Sequence, residues 1–167
     1  MKKIVFGFLV VLSQVAYSQT SKNFGDFSSV KAYDRINVTL VKSSENKVEI
    51  SGDDSDVEIV NKNGELKIRM IPTKIMQGDK VSVTVFYENL NEIQASQGSK
   101  ITSEDAVESG ILNITSNEGS ILNLKIEADI LNAKTNSGGI INISGTAKTQ
   151  DVLVNSGANF NGRNLKS

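Results

Sequence analysis

The run Leu112-Asn113-Ile114-Thr115-Ser116-Asn117-Glu118-Gly119-Ser120-Ile121-Leu122-Asn123-Leu124 returns, altered but readable, as Leu131-Asn132-Ala133-Lys134-Thr135-Asn136-Ser137-Gly138-Gly139-Ile140-Ile141-Asn142-Ile143. The step is nineteen residues, and it organises the chain from about Ile93 to Phe160. Laid out at that step, Ile93 falls over Leu112 and Leu131, Ala95 over Ile114, Ala133 and Val152, and Gln97 over Ser116, Thr135 and Val154. A second set of columns holds Leu122, Ile141 and Phe160, with Leu124 and Ile143 beside it. Between the two sets comes a polar turn with glycine, as in Gln97-Gly98-Ser99 and Asn155-Ser156-Gly157-Ala158. A unit this small cannot bury its own apolar face, so self-similarity at a short fixed period means stacking on neighbours.

Within each unit apolar and polar residues alternate, which is the strand period of two, with one face buried and one wet. Nineteen residues are too few for a strand, a turn and a crossover helix, so the unit is strands and corners. The expectation is an all-β chain whose repeat part, residues 91–167, is a parallel β-helix-like solenoid with coils about 4.8 Å apart. Asn113, Asn123, Asn132 and Asn142 then face outward or sit at corners. They are read first as corner chemistry and side-chain ladders, and second, for Asn113, Asn123 and Asn142, as candidate binding residues.

Residues 24–90 carry shorter alternations, including Ile36-Asn37-Val38-Thr39-Leu40, Leu66-Lys67-Ile68-Arg69-Met70 and Val81-Ser82-Val83-Thr84-Val85. Asn63-Gly64 between two such runs predicts a tight hairpin. The only proline, Pro72, falls in the loop Ile71–Lys80, where no ladder donor is needed. This half is expected to be an antiparallel meander that also caps one end of the solenoid, because bare β-edges invite association.

The chain opens Met1-Lys2-Lys3, then Ile4 to Leu12 without a charge, then small residues at Ala16 and Ser18. That pattern is a secretory leader, residues 1–18, cut before Gln19. Its apolar run is far short of the about 20 residues of a spanning helix. The expected protein is therefore exported to the periplasm, the outer-membrane surface or the medium, and is not integral to a membrane. With 18 basic and 19 acidic residues the whole chain is near neutral, and loss of Lys2 and Lys3 makes it more acidic. No electrostatic footprint for nucleic acid results. Without cysteine there is no disulfide framework, and residues 19–167 are one domain by length.

The succession Phe27-Ser28-Ser29-Val30, Ile36-Asn37-Val38-Thr39-Leu40, Val48-Glu49-Ile50-Ser51-Gly52 and Asn63-Gly64-Glu65-Leu66-Lys67-Ile68, followed by glycine-containing Ile/Asn repeats, resembles the bacterial family called putative auto-transporter adhesin, head GIN domain. The resemblance implies an exported all-β body with a right-handed β-helix-like region, and an adhesin-like role. It supplies no catalytic or binding residues to carry over. Members usually continue with further repeats, whereas here Asn164-Leu165-Lys166-Ser167 falls inside what should be another coil, implying an open or unusually capped end.

The absence of histidine and cysteine removes the commonest metal ligands and Ser-His-Asp or thiol catalysis, and no cofactor is expected. Glu108 and Glu127, nineteen apart, would be neighbours on adjacent coils near the ~5–5.5 Å of a retaining glycosidase pair, and are the candidate catalytic residues. Asp129 and Lys148 share the same spacing and are read as an ion pair. Asp53, Asp54 and Asp56 are candidate calcium ligands, although the spaced loop and distal glutamate of a calcium hand are missing. Tyr33 and Tyr87 are the aromatics considered for surface contact, with Phe86 expected inward. The leading expectation is a non-catalytic module binding a surface glycan or protein, the alternatives being a carbohydrate-active enzyme and a self-assembling envelope protein.

Overall fold

Every alternating run becomes a strand in the computed structural model, which describes residues 19–167. In chain order these are β1 (Gln19–Lys22), β2 (Ser29–Ala32), β3 (Asn37–Lys42), β4 (Lys47–Ser51), β5 (Val57–Lys62), β6 (Glu65–Met70), β7 (Ser82–Tyr87), β8 (Glu92–Ala95), β9 (Lys100–Ser116), β10 (Ile121–Thr135), β11 (Ile140–Val154) and β12 (Asn159–Lys166). All join one open sheet that curls like half a barrel. Among the described residues helix is confined to three short 3₁₀ turns, at Asp54–Asp56, Pro72–Lys74 and Gly78–Lys80. The leader read in residues 1–18 lies outside the described residues.

The nineteen-residue step reappears as the register of parallel ladders. Ile121 pairs with Ile140 and Leu131 with Gln150 between β10 and β11, and Ile141 with Phe160 between β11 and β12. The first step differs from the sequence reading. Ile93 lies beside Ile114, not Leu112, and Ala95 beside Ser116, not Ile114. The cause is a bulge: Asn123 pairs with Thr102 but Lys125 with Ala106, so Ser103, Glu104 and Asp105 together oppose Leu124. A bulge adds residues to one strand without moving the flanking pairs, so the offset is twenty-one before it and nineteen after it.

The first half is not an antiparallel meander. β2 lies parallel between β6 and β8, and β3 parallel between β7 and β9. In that half β5 and β6 are the consecutive strands that form a hairpin, about Asn63 and Gly64, both at positive φ. Such a two-residue turn matches strand twist, whereas the longer connections carry the chain across to a non-consecutive neighbour. The interleaving has an energetic reason. In-register parallel pairing lines up side chains on one face, and it prolongs the two interior columns of the repeats. One column runs Leu66, Val30, Ile93, Ile114, Ala133, Val152. The other runs Val83, Val38, Ile101, Leu122, Ile141, Phe160. Their members from Leu66 to Ala133 and from Val83 to Ile141 are buried. Each Val, Leu or Ile among them contributes roughly 1.5–3 kcal/mol by leaving water.

The polar turns form a third column. Gln97-Gly98, Glu118-Gly119, Ser137-Gly138 and Ser156-Gly157 each place two residues in succession at positive φ. Each turn closes on itself, as in Ser120 N–H to Asn117 C=O at 3.1 Å, and donates to the next, as in Gly98 N–H to Glu118 C=O at 3.0 Å. Asp34-Arg35 is the first member of this stack, at φ 58° and 66°, with Arg35 N–H donating to Gln97 C=O at 3.0 Å. Here an arginine occupies the position that is glycine in the other four turns. Inside the stack, buried serines join successive layers: Ser99 Oγ donates to Ala32 C=O and Ser120 Oγ to Ala95 C=O.

Candidate functional site

Asparagines one step apart bond directly. Asn142 Nδ2 donates to Asn123 Oδ1 at 2.8 Å, and Asn161 Nδ2 donates to Asn142 Oδ1 at 3.5 Å. These residues line an open cavity of about 320 Å³ with Asn164, Ser103 and Lys125, and the strand positions Leu124 and Ile143 complete its lining. The bulge sets its edge, because Ser103 Oγ is held by Lys125 N–H at 2.9 Å. On the opposite edge Ser144 pairs with Asn164, a shift that places an extra residue in β12 and brings Asn164 into the cavity. Each amide has two donors and two acceptor sites, so a ladder that uses one donor per rung leaves others for a ligand.

Asn113, named with Asn123 and Asn142 from the sequence, belongs to a separate ladder. It accepts from Asn132 Nδ2 at 2.9 Å and donates to Asn91 C=O at 3.3 Å. Asn161 and Asn164 were missed as candidates. The signal for Asn161 was the same step, nineteen beyond Asn142, whereas Asn164 depends on a register shift that no pattern announces.

Glu108 and Glu127 are direct ladder partners. Both are exposed, on a cleft of about 340 Å³ that also holds the ion pair Lys148 Nζ to Asp129 Oδ1, 2.6 Å apart. The aspartates do not converge. Asp53 caps the first 3₁₀ turn by accepting from Ser55 N–H and Oγ, Asp54 pairs with Lys22 at 3.2 Å, and Asp56 with Lys74 at 3.4 Å. The bonds from Ser55 hold the Asp53 carboxyl below its ordinary range. Among the described residues no group of three or more acidic side chains gathers in a way that could hold a metal ion.

Tyr87 corrects the reading of its strand. β7 turns Val83, Val85 and Tyr87 inward, so Tyr87 is 1% exposed and Phe86 faces out beneath Lys47 Nζ, 4.4 Å from its ring centroid. The alternation begun at Val81 already dictated this phase. Burial pushes the Tyr87 phenol up to about 12, with Asp105 and Glu108 adding to the shift.

Among the described residues no helix is long and apolar enough to cross a membrane. The fold is similar to crystal structures described as putative adhesins. One from Parabacteroides distasonis has a TM-score of 0.66 at 20% identity, over 89% of this chain and 74% of that one. Another, from Parabacteroides merdae, gives 0.61 at 20% identity over 87% and 76%. A third, from Bacteroides fragilis, gives 0.60 at 11% identity over 87% and 96%. No curated protein matches the sequence. The sequence profile of the family described as Putative auto-transporter adhesin, head GIN domain matches residues 26–167, so the chain belongs to that family.

Proposed function

We propose that the protein is an exported, non-catalytic, adhesin-like module of the bacterial cell envelope that binds a surface glycan or protein through the Asn123, Asn142, Asn161 and Asn164 face. The observation that carries this reading is the amide ladder bordering an open cavity. Family membership supports the adhesin-like role and a location outside the cytoplasm. The nineteen-residue ladders support describing the repeat part as coils of a β-solenoid, right-handed in keeping with the family resemblance. Amides repeated along a ladder suit many weak contacts, where avidity replaces single-site affinity.

Binding to an immobilised panel of bacterial and host glycans and matrix proteins tests the proposal. Saturable binding to one class is expected. Asn142→Ala removes the central rung and should weaken that binding at least tenfold, or about 1.4 kcal/mol, with the melting temperature little changed. A folded protein that binds no member of the panel overturns the reading.

A second reading, self-association, draws on Val152, Leu153 and Val154, which are 37%, 48% and 44% exposed on a strand segment paired on one side only. The carbohydrate-active reading of Glu108 and Glu127 has less behind it. Both carboxylates stand exposed to solvent, whereas an acid and a nucleophile are told apart by environments as different as an apolar pocket and a polar, solvated one.

A further inference from the structure

A third cavity, of about 410 Å³, lies under the first turn of the stack, between Asp34 and the loop after β6. Its lining includes Tyr33, Asp34, Arg69, Pro72, Ile75 and Gln97. Asp34 is 5% exposed, so a carboxylate is held almost wholly out of water. One of its oxygens, Oδ2, accepts from Met70 N–H at 3.1 Å, and the other accepts no hydrogen bond from the described residues. Burying a charge is costly unless its lone pairs are satisfied; the second oxygen is not sealed away from solvent, so it is open to a donor from the cavity side.

The cations at the rim do not supply it. Arg69 Nε is bound to Glu58 at 2.7 Å and Lys67 Nζ to Glu65 at 3.0 Å. Arg69 also feels the charge of Asp34, and among the lining residues Lys67 and Arg69 balance Asp34 and Glu58, so the cavity does not ask for a charged guest. It asks for one that donates hydrogen bonds to Asp34 while presenting apolar surface elsewhere. The apolar surface is available: Tyr33 is half-buried, and Ile75 is 54% exposed, beside Pro72.

We infer that this cavity is a subsite for a neutral sugar ring. The ring's C–H face lies against Tyr33 and Ile75, and its hydroxyls donate to the free oxygen of Asp34 and exchange hydrogen bonds with Gln97. The inference rests on reading the chain as a surface-binding module but places a saccharide at a site separate from the asparagine face.

The test is titration of the purified protein with galactose, mannose, N-acetylglucosamine and short oligosaccharides of each, followed by NMR shifts of the protein. Shifts should centre on Tyr33, Asp34, Ile75 and Gln97 for at least one of these sugars. Tyr33→Ala should weaken binding at least tenfold, Tyr33→Phe should retain it, and Asp34→Asn should weaken it. Tyr33 is partly exposed, so its variants are expected to fold, and thermal melts check this. Unchanged affinity in Tyr33→Ala overturns the assignment, as does binding confined to charged saccharides. If neutral sugars give no shifts while another panel member still binds and is lost in Asn142→Ala, the subsite is wrong and the adhesin reading stands. If neutral sugars bind here while Asn142→Ala is without effect on any ligand, the subsite stands and the asparagine face is wrong.

Discussion

Tyr87 brings a polar atom into the interior that nothing in the fold uses. Its ring belongs there, filling the end of the row that Val83 and Val85 begin, but the hydroxyl is buried and has no hydrogen-bond partner. An unpaired buried hydroxyl costs about 1–3 kcal/mol, and removing it without changing shape is neutral or better. Tyr87→Phe is therefore expected to stabilise the protein, by up to about 1 kcal/mol. The sign with pH follows from the raised phenol. Its folded value, about 12, lies above the ordinary value of 10.0. The folded state thus holds its proton over a range in which the unfolded chain releases one. Stability from this group is complete below pH 10 and falls as the pH rises toward 12. Denaturant melts of wild type and Tyr87→Phe at pH 8, 10 and 11 check both claims: the gap should widen with pH in favour of phenylalanine. A variant less stable than wild type at every pH would show that the hydroxyl has a partner. Gly145 shows the opposite relation between residue and fold. It stands at φ +110°, and a Cβ there would collide with the carbonyl oxygen of Ile126 on the neighbouring strand, so the close approach of β10 and β11 requires glycine.

Between elements, the polar face of the first half is joined by Lys31. From β2 it reaches Glu65 at the start of β6, 2.6 Å away, and Glu92 at the start of β8, 3.1 Å away, and Ser29 Oγ also donates to Glu92. Burial works to lower the lysine's affinity for its proton, but bonds from Glu65 and then Glu92 outweigh it and hold the group above 10.5. Glu65 is held below 4.5, first by its bond to Lys31 and then by that to Lys67. A depressed carboxylate stabilises the fold above its unfolded value and loses that contribution as the pH falls through the folded one. The raised lysine contributes below 10.5 and loses its share only as the pH rises through its folded value. Between those limits both contributions are present. Lys31→Met should cost about 1 kcal/mol at pH 7, given the partial exposure of the carboxylates, and should shrink the loss of stability below pH 4.5. Melting temperatures at pH 3.5, 5 and 7 measure this, and identical acid limbs for the two proteins would remove Lys31 from the account. At this scale the sequence was partly transparent. Strands announced by alternation formed where alternation lay, because that pattern depends only on neighbours two apart. Beyond the bulge in β9 the nineteen-residue step is the register, and Asn123, Asn142 and Asn161 and the turn glycines Gly119, Gly138 and Gly157 recur at it. Who pairs with whom in the first half was opaque, since β2 meets β6 and β8 through contacts no local pattern records. The first stacked turn was hidden as well, because Asp34-Arg35 carries no glycine to mark it. The same division runs through the sites: Asn123 and Asn142 were visible as a column, while the cavity at Tyr33 is assembled from residues as distant as Arg69 and Gln97.

As a whole the molecule is a stack with unlike ends. Toward the chain's first half the interior columns pass into β2, β3, β6 and β7 and stay covered. Toward β12 they run out: Val152 prolongs the column of Ile93, Ile114 and Ala133, and Val154 that of Ala95, Ser116 and Thr135, but both are exposed. β12 covers β11 only from Ile140 to Thr146, so Thr149–Val154 pair with β10 on one side and with no described strand on the other. Proteins defend such edges with charge, glycine or irregularity. β12 has Gly162, Arg163, Lys166 and a register shift, whereas Thr149–Val154 has Asp151 alone. Two copies of one edge pair most simply about a twofold axis, which sets the strands antiparallel and buries the same side chains from each partner. Sedimentation equilibrium over a wide concentration range should therefore show reversible dimerisation. Val154→Lys adds a charge at a position already exposed, so it should leave the melting temperature nearly unchanged while shifting the equilibrium to monomer. Asn142→Ala, on another face, should leave the dimer intact. A wild-type protein that stays monomeric at every concentration, or a Val154→Lys variant that dimerises as before, would show that this edge is left bare for some purpose other than self-association.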